Sequence, residues 1–228
     1  MQVIYAECSA ALNADYNDNE RERVIAPFCI RGILVMDNLN FYIVPDTYVT
    51  YLQNAEISKR GFTRVPNMNY GNNRKQKFVC GIILKIKDVN YFVSVSSYKH
   101  QKPDNFLICD KNGNVVSSLR FNYMFPVPLN IISERRIDTE TDLKYKSLLS
   151  QELRYCIDNQ NTIRNLASRT HKRVLLGKNP GLVNNSCDFE LLEEKCQEYT
   201  QALNQTQQPI LPNQIPPTQC IGGLSQGR

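Results

Sequence analysis

The chain has 228 residues, 42% of them hydrophobic and 9% aromatic, and a formal net charge of +5, which suits one domain with one sizeable core plus tails. No apolar run is long enough to span a bilayer as a helix, no basic-then-apolar leader opens the chain, and the eight cysteines form no C-x-x-C pair and stand at no zinc-ligand spacing from a histidine. That excludes a zinc-organised protein and a helix-spanned membrane protein, and the expected setting is a reducing cytoplasm, where free cysteines serve as small core residues. The positive charge is uneven: residues 36–199 hold 23 Lys and Arg against 17 Asp and Glu, whereas residues 1–35 hold 3 against 5. A moderately basic block favours polyanionic partners, nucleic acid first among them.

Residues 1–35 run from acidic, polar sequence into "VIAPFCIRGILV", and Met36 opens a stretch that reads as a natural beginning, "MDNLNFYIVPDTYVTYL". Residues 1–35 are therefore read as an N-terminal extension outside the functional chain. Residues 40–44, "NFYIV", form a short strand, and Asp46 is placed to cap a helix over "TYVTYLQNA". A long polar loop follows from Ser58 to Lys75, "SKRGFTRVPNMNYGNNRK". Its Gly, Pro and Asn content argues against regular structure, and loops of this length in compact domains usually carry function or disorder.

The next stretch is strand-like. "KFVCGIILKI" and "YFVSVSS" flank residues 87–90 as a hairpin, and "NFLICD" and "VVSSL" flank Lys111, Asn112, Gly113 and Asn114, where Asn-Gly is a strong hairpin signal. "RFNYMFPV" supplies a further strand. The second half turns helical. "DTETDLKYKSLLSQELRYCIDN" sets Leu143, Leu148, Leu149, Leu153 and Cys156 on one face behind an acidic first turn. "NTIRNLASRTHKRVLLG" ends at Gly177, and "SCDFELLEEKCQEY" has Ser186 or Asp188 as its cap. Residues 200–228, rich in Gln, Pro and Gly, form a mobile tail. The architecture is α+β: a small antiparallel barrel or curled sheet with appended helices.

One stretch stands apart chemically. "YFVSVSSYKH" starts as a strand and ends with two hydroxyls, a phenol, an ammonium and an imidazole crowded onto one strand end. Hydroxyl donors beside a positive charge are what a phosphate-handling site needs. Ser96, Ser97 and Lys99 suit the phosphate; a strand cap and a solvated lysine would look the same. His100 has an unperturbed pKa suited to proton transfer near neutrality. In the preceding loop Tyr70, beside "NNRKQK", suits stacking of a splayed base while cations hold its phosphates. His171, on a helix with Arg169, Lys172 and Arg173, is read as exposed or facing RNA.

The run from "NFYIVPDTYVTYL" through "NYGNNRKQKFVCGIIL", "YFVSVSSYK" and "RFNYMFPVP" to "KYKSLL" and "CDFELLEEKCQEY" resembles the ToxN/AbiQ family of type III toxin–antitoxin endoribonucleases, in particular its CptN-like branch. The resemblance covers roughly residues 39–199 and delimits an endoribonuclease domain over 36–199. It implies a Kid/MazF-like fold and RNA cleavage without metal or other cofactor, leaving a 2′,3′-cyclic phosphate. It further implies inhibition by an antitoxin RNA of pseudoknot repeats, which the enzyme processes, bound in a ring or smaller hetero-oligomer. Cellular or phage RNA would be the substrate, in the bacterial cytoplasm, with a role in abortive infection of phage and no membrane partner.

By resemblance the catalytic residues are Ser97, which positions the phosphate, Lys99, which stabilises its charge, Ser96, and Tyr48 lining the site. The family has a proline where this chain has Tyr98, and it does not depend on a histidine at His100. The loop cation is Lys77 if counted back from Gly81 and Arg74 if counted forward from Tyr70, with Lys75 between them as reserve. The RNA-binding set is completed by Tyr70, His100 and the helical cations Lys144, Lys146, Arg154, Arg164, Arg169, Lys172 and Arg173. Two rivals use the same residues differently: a non-catalytic RNA-binding module on an SH3-like barrel, and a metal-independent nuclease with His100 as its base.

Overall fold

A computed structural model describes residues 39–68 and 77–206. Seven strands appear among them: β1 (Asn40–Ile43), β2 (Val79–Ile86), β3 (Val89–Ser96), β4 (Asn105–Cys109), β5 (Val115–Arg120), β6 (Phe125–Pro126) and β7 (Ser133–Glu134). They form one antiparallel sheet in the order β4-β5-β3-β2-β1-β7, with β6 pairing the start of β3 on the edge whose far end takes β5. Among the described residues β4 and β7 each pair on one side only, so the sheet is open. This corrects the barrel half of the expectation and leaves an α+β fold with an open antiparallel sheet and appended helices. A register shift between Cys80 and Leu84 interrupts the β2–β3 pairing, and bulges of this kind bend a sheet. Beside it, a Cβ on Gly81 would collide with the Phe92 ring, so only glycine lets the strand approach so closely.

Five α-helices accompany the sheet among the described residues: α1 (Asp46–Arg60), α2 (Leu143–Asp158), α3 (Gln160–Leu175), the short α4 (Pro180–Asn184) and α5 (Phe189–Thr206). The core lies between sheet and helices, with Phe41, Tyr91, Phe92, Phe121, Phe125 and Phe189 fully buried. Cys80, Cys109, Cys156, Cys187 and Cys196 are free and buried.

Several boundaries differ from the sequence reading. α1 runs to Arg60 and ends at Gly61 in the left-handed region, so its last turn takes residues 58–60 from the expected loop. The following residues are held by Glu56, which is fully buried. Its carboxylate accepts from Thr63 Oγ1 at 2.7 Å, Arg64 N at 2.6 Å, Val65 N at 3.3 Å, Asp188 N at 2.6 Å and Arg60 Nη1 at 3.3 Å. A charge buried in this way needs such full compensation. The strand expected over "RFNYMFPV" is a 3₁₀ turn, Phe121–Tyr123, followed by the two-residue β6.

Leu143 is 78% exposed; it lies in the first turn of α2, just after the Asp142 cap, rather than on the buried stripe. α5 continues through residues 200–206, which corrects the tail boundary. Gln, Ala and Leu carry a helix readily, Thr200 Oγ1 donates to Cys196 O at 2.8 Å, and Tyr199 packs on the Tyr48 and Tyr51 rings.

Candidate active site

The polar residues singled out in the sequence lie where β3 ends. The β2–β3 register pairs Val79 with Ser94, and Val95 N donates to Phe78 O at 3.3 Å, so the ladder continues past β2 and sets Lys77 across from Ser96. The Lys77 ammonium donates to the carbonyl of Asn67. On its other edge Ser96 pairs with Ser118 of β5. Three neighbouring strands therefore converge on the point where the chain turns polar.

Hydrogen bonds hold the turn that follows. Tyr98 N donates to Ser96 Oγ at 3.3 Å, and Ser118 Oγ, fully buried, donates to Tyr98 O at 2.6 Å. The Asn105 side chain accepts from Lys102 N at 2.8 Å and Gln101 Nε2 at 3.0 Å while donating to His100 O at 2.9 Å. Phe121 N closes the base of the turn on Asp104 O at 2.9 Å. Ser97, Lys99 and His100 are exposed on this pinned backbone. Clips of this kind compete for backbone groups that would otherwise bind water, and they hold the backbone from which the Ser97 hydroxyl and the Lys99 ammonium project. The Tyr98 ring meets His100 edge-on at 5.4 Å.

Sequence reasoning missed Arg120 and Tyr123. The Arg120 guanidinium lies 4.9 Å from the Tyr98 ring centroid and 4.2 Å from that of Tyr123, and its Nη2 donates to Tyr123 Oη at 3.0 Å. The signal was a cation closing a strand, followed by "FNY", but only the pairing of β5 with β3 brings it beside residue 98.

Tyr48 is not part of this cluster. It is fully buried, and its hydroxyl donates to Pro126 O at 2.8 Å. Burial, with the Cys196 thiol beside it, pushes the phenol pKa far above its ordinary value. As placed it ties α1 to β6, which corrects its expected place lining the site. His171 is also buried rather than exposed: its ring stacks on Phe189, and Nε2 sits 2.9 Å from Glu193 Oε1 and 3.3 Å from Tyr91 Oη. Tyr70, Arg74 and Lys75 lie outside the described residues.

Of the helical cations, Lys146 donates to Asp138 O at 2.6 Å and Arg154 pairs with Asp158 at 3.8 Å. Lys144, Arg169, Lys172 and Arg173 are exposed, and Arg164 is half-buried. They occupy the faces of α2 and α3 rather than the turn itself. Among the described residues no group of three or more His, Cys, Asp or Glu is placed to hold a metal ion.

A family model described as "Toxin ToxN, type III toxin-antitoxin system" matches residues 40–197. The chain belongs to the ToxN toxin family. It is 29% identical to "Endoribonuclease ToxN" of Bacillus thuringiensis subsp. kurstaki over 174 residues, covering 72% of this chain and 85% of that protein. It is 28% identical to "Endoribonuclease AbiQ" of Lactococcus lactis subsp. lactis over 189 residues, covering 77% of this chain and 97% of that protein. A solved structure from a study of selective toxin inhibition by a non-coding RNA pseudoknot superposes with a TM-score of 0.63 at 26% identity, over 72% of this chain and 99% of that one. All the strands and helices described above except the last turns of α5 fall within the ToxN match, and so does the whole of the clipped turn.

Proposed function

We propose that this chain is the toxin of a type III toxin–antitoxin system, an endoribonuclease whose active site is the turn after β3. The observation that carries the proposal is the ToxN family match over residues 40–197, inside which Ser97 and Lys99 are exposed on a backbone pinned from Ser96, Asn105 and Ser118.

In the proposed reaction the 2′-oxygen of the substrate attacks the adjacent phosphorus. The O2′–P bond forms, the P–O5′ bond breaks, the 2′-hydroxyl loses a proton and the departing 5′-oxygen gains one. The products are a 2′,3′-cyclic phosphate and a 5′-hydroxyl. Ser97 donates a hydrogen bond to a phosphate oxygen, and the Lys99 ammonium stands against the charge that builds on the phosphorane. Donors fixed before the charge develops need no reorganisation when it does. Ser96 supports the turn through the Tyr98 amide, and Lys77, across the ladder from Ser96, adds a second cation at the mouth of the site. The scheme invokes no metal or cofactor.

Under the same proposal, residues 36–199 carry the activity, the open curled sheet is a variant of the Kid/MazF-type toxin fold, and a repeat-derived antitoxin RNA both inhibits the enzyme and is processed by it. That RNA and the toxin assemble together, and the exposed cations of α2 and α3 supply phosphate contacts. The cleaved RNA is cellular or phage RNA in the bacterial cytoplasm, and cleavage serves abortive infection of phage. No described helix is long and apolar enough to cross a membrane. The test is cleavage of RNA by the purified chain in excess EDTA with end-group analysis. Cyclic phosphate and 5′-hydroxyl ends are expected; 5′-phosphate ends, or activity that needs an added divalent ion, overturn the mechanism. Normal RNA binding without cleavage would favour the non-catalytic module instead.

A further inference from the structure

The turn after β3 has a cation beside it that the reaction scheme leaves unused. Arg120 ends β5, two residues beyond Ser118, which pairs with Ser96 across the ladder. Alternation along the strand puts Arg120 and Ser118 on the same side. The guanidinium is half-buried, and among the described residues it has no carboxylate partner. Arginine is a cation, so the turn has beside it a positive charge that no carboxylate among the described residues offsets.

Two rings hold that charge in place. Tyr123 lies 4.2 Å from the guanidinium carbon and accepts one hydrogen bond from it at 3.0 Å; Tyr98 lies 4.9 Å away. Ring contacts of this kind attract a cation without using its N–H groups. Five N–H donors are present and one is taken by Tyr123 Oη, so the rest have no protein acceptor among the described residues. The Tyr98 ring belongs to the residue between Ser97 and Lys99, and that residue's amide and carbonyl are both clipped. The guanidinium is therefore fixed relative to the two residues proposed to engage the scissile phosphate.

We propose that Arg120 is a phosphate-binding residue of the substrate RNA, gripping the phosphodiester next to the one engaged by Ser97 and Lys99. One N–H is taken by Tyr123 Oη and the others have no acceptor among the described residues, so those donors are offered to a ligand. A planar pair of donors with a fixed charge matches two oxygens of one phosphate. The inference rests on the reading of the turn as the RNA site and adds to it a residue outside the turn.

The test measures binding of single-stranded RNA decamers to the full chain by fluorescence anisotropy across a KCl series, in a Ser97→Ala background that slows cleavage by about 100-fold. Poly-A, poly-U and G-containing decamers are compared. Adding Arg120→Ala should weaken all of them by about tenfold, the size of one charged hydrogen-bonded contact, and should lower the log–log salt slope by about 0.7, one phosphate's share on a single strand. Arg120→Lys should restore the slope and only part of the affinity.

An unchanged salt slope with a lowered melting temperature in both Arg120 variants would make the residue structural and overturn the assignment. A loss confined to G-containing RNA would overturn it in favour of base reading. The turn is judged separately by Lys99→Ala cleavage. If that variant loses cleavage while Arg120→Ala leaves the slope unchanged, the Arg120 assignment alone falls; if the parent chain with Ser97 intact neither binds nor cleaves RNA, both fall.

Discussion

Tyr48 separates two accounts of the first helix. A site residue should matter to catalysis; a core residue should matter to stability. Tyr48 is fully buried, donates to Pro126 O at 2.8 Å, and meets the Tyr199 ring edge-on at 4.9 Å. Tyr48→Phe removes only the hydroxyl. The ring contacts survive, and the Pro126 carbonyl loses a donor in a place water does not reach. The expected cost is about 1–2 kcal/mol, which for a protein of this size lowers the melting temperature by about 2–4 °C for each kcal/mol. Tyr48→Ala also empties the ring's volume and should cost about 3–5 kcal/mol. Urea denaturation supplies the stability change, and single-turnover cleavage of a labelled RNA, under conditions where each variant is folded, supplies the rate. Tyr48→Phe is expected to cleave within about twofold of the parent. Cleavage lowered by about 100-fold, the scale of a lost catalytic donor, with stability unchanged would refute the reasoning and return Tyr48 to the site.

The turn itself makes the opposite prediction. Ser97→Ala and Lys99→Ala are exposed and should each change stability by no more than about 0.5 kcal/mol, yet lower cleavage by about 100-fold or more; normal cleavage by folded Lys99→Ala protein would remove residues 96–100 from the active site. The buried latch of α3 and α5 should respond to acid. Burial opposes ionisation of Glu193, but hydrogen bonds from His171 and Tyr91 and the nearby charges of His171 and Lys87 outweigh it, leaving the carboxyl below its usual range. A depressed carboxylate contributes stability above its unfolded pKa, and that contribution is lost as pH falls through the folded value. Melting temperature measured from pH 7 to pH 3 should therefore drop less steeply below about pH 4.5 in Glu193→Gln than in the parent, and parallel curves would show that Glu193 is not linked to folding. Finally, a chain beginning at Met36 should fold and cleave RNA as the full chain does; loss of either in a cleavage assay would place residues 1–35 inside the functional unit.

Local signals were legible wherever a short stretch decides its own conformation. Asn112-Gly113 announced a hairpin, and Gly113 takes a φ of 82° there. Gly177 closes α3 with a φ of 67°, and Asp188 caps α5, accepting from Leu191 N at 3.2 Å. Failures came where a long-range partner overrides composition. The residues after α1 read as featureless loop because Gly, Pro and Asn dominate them, yet Glu56, a residue of the preceding helix, gathers their amides. His171 read as exposed because arginine and lysine neighbours surround it in sequence. On the helix it faces the other way, onto Phe189 and Glu193.

The candidate site divides along the same line. Ser96, Ser97, Lys99 and His100 are consecutive or nearly so, and their crowding on one strand end is a property of the sequence alone: covalent spacing keeps them together whatever the chain does elsewhere. So is the switch from β-branched to polar residues that ends the strand. Which other residues join them is not covalent. Lys77 stands across from Ser96 only because the β2–β3 register runs on to Phe78, Arg120 comes beside Tyr98 only because β5 pairs with the end of β3, and Tyr48 is withdrawn because its hydroxyl finds Pro126 across 78 residues of chain. Strand register and burial depend on contacts between distant segments, and a reading made one segment at a time carries no information about them.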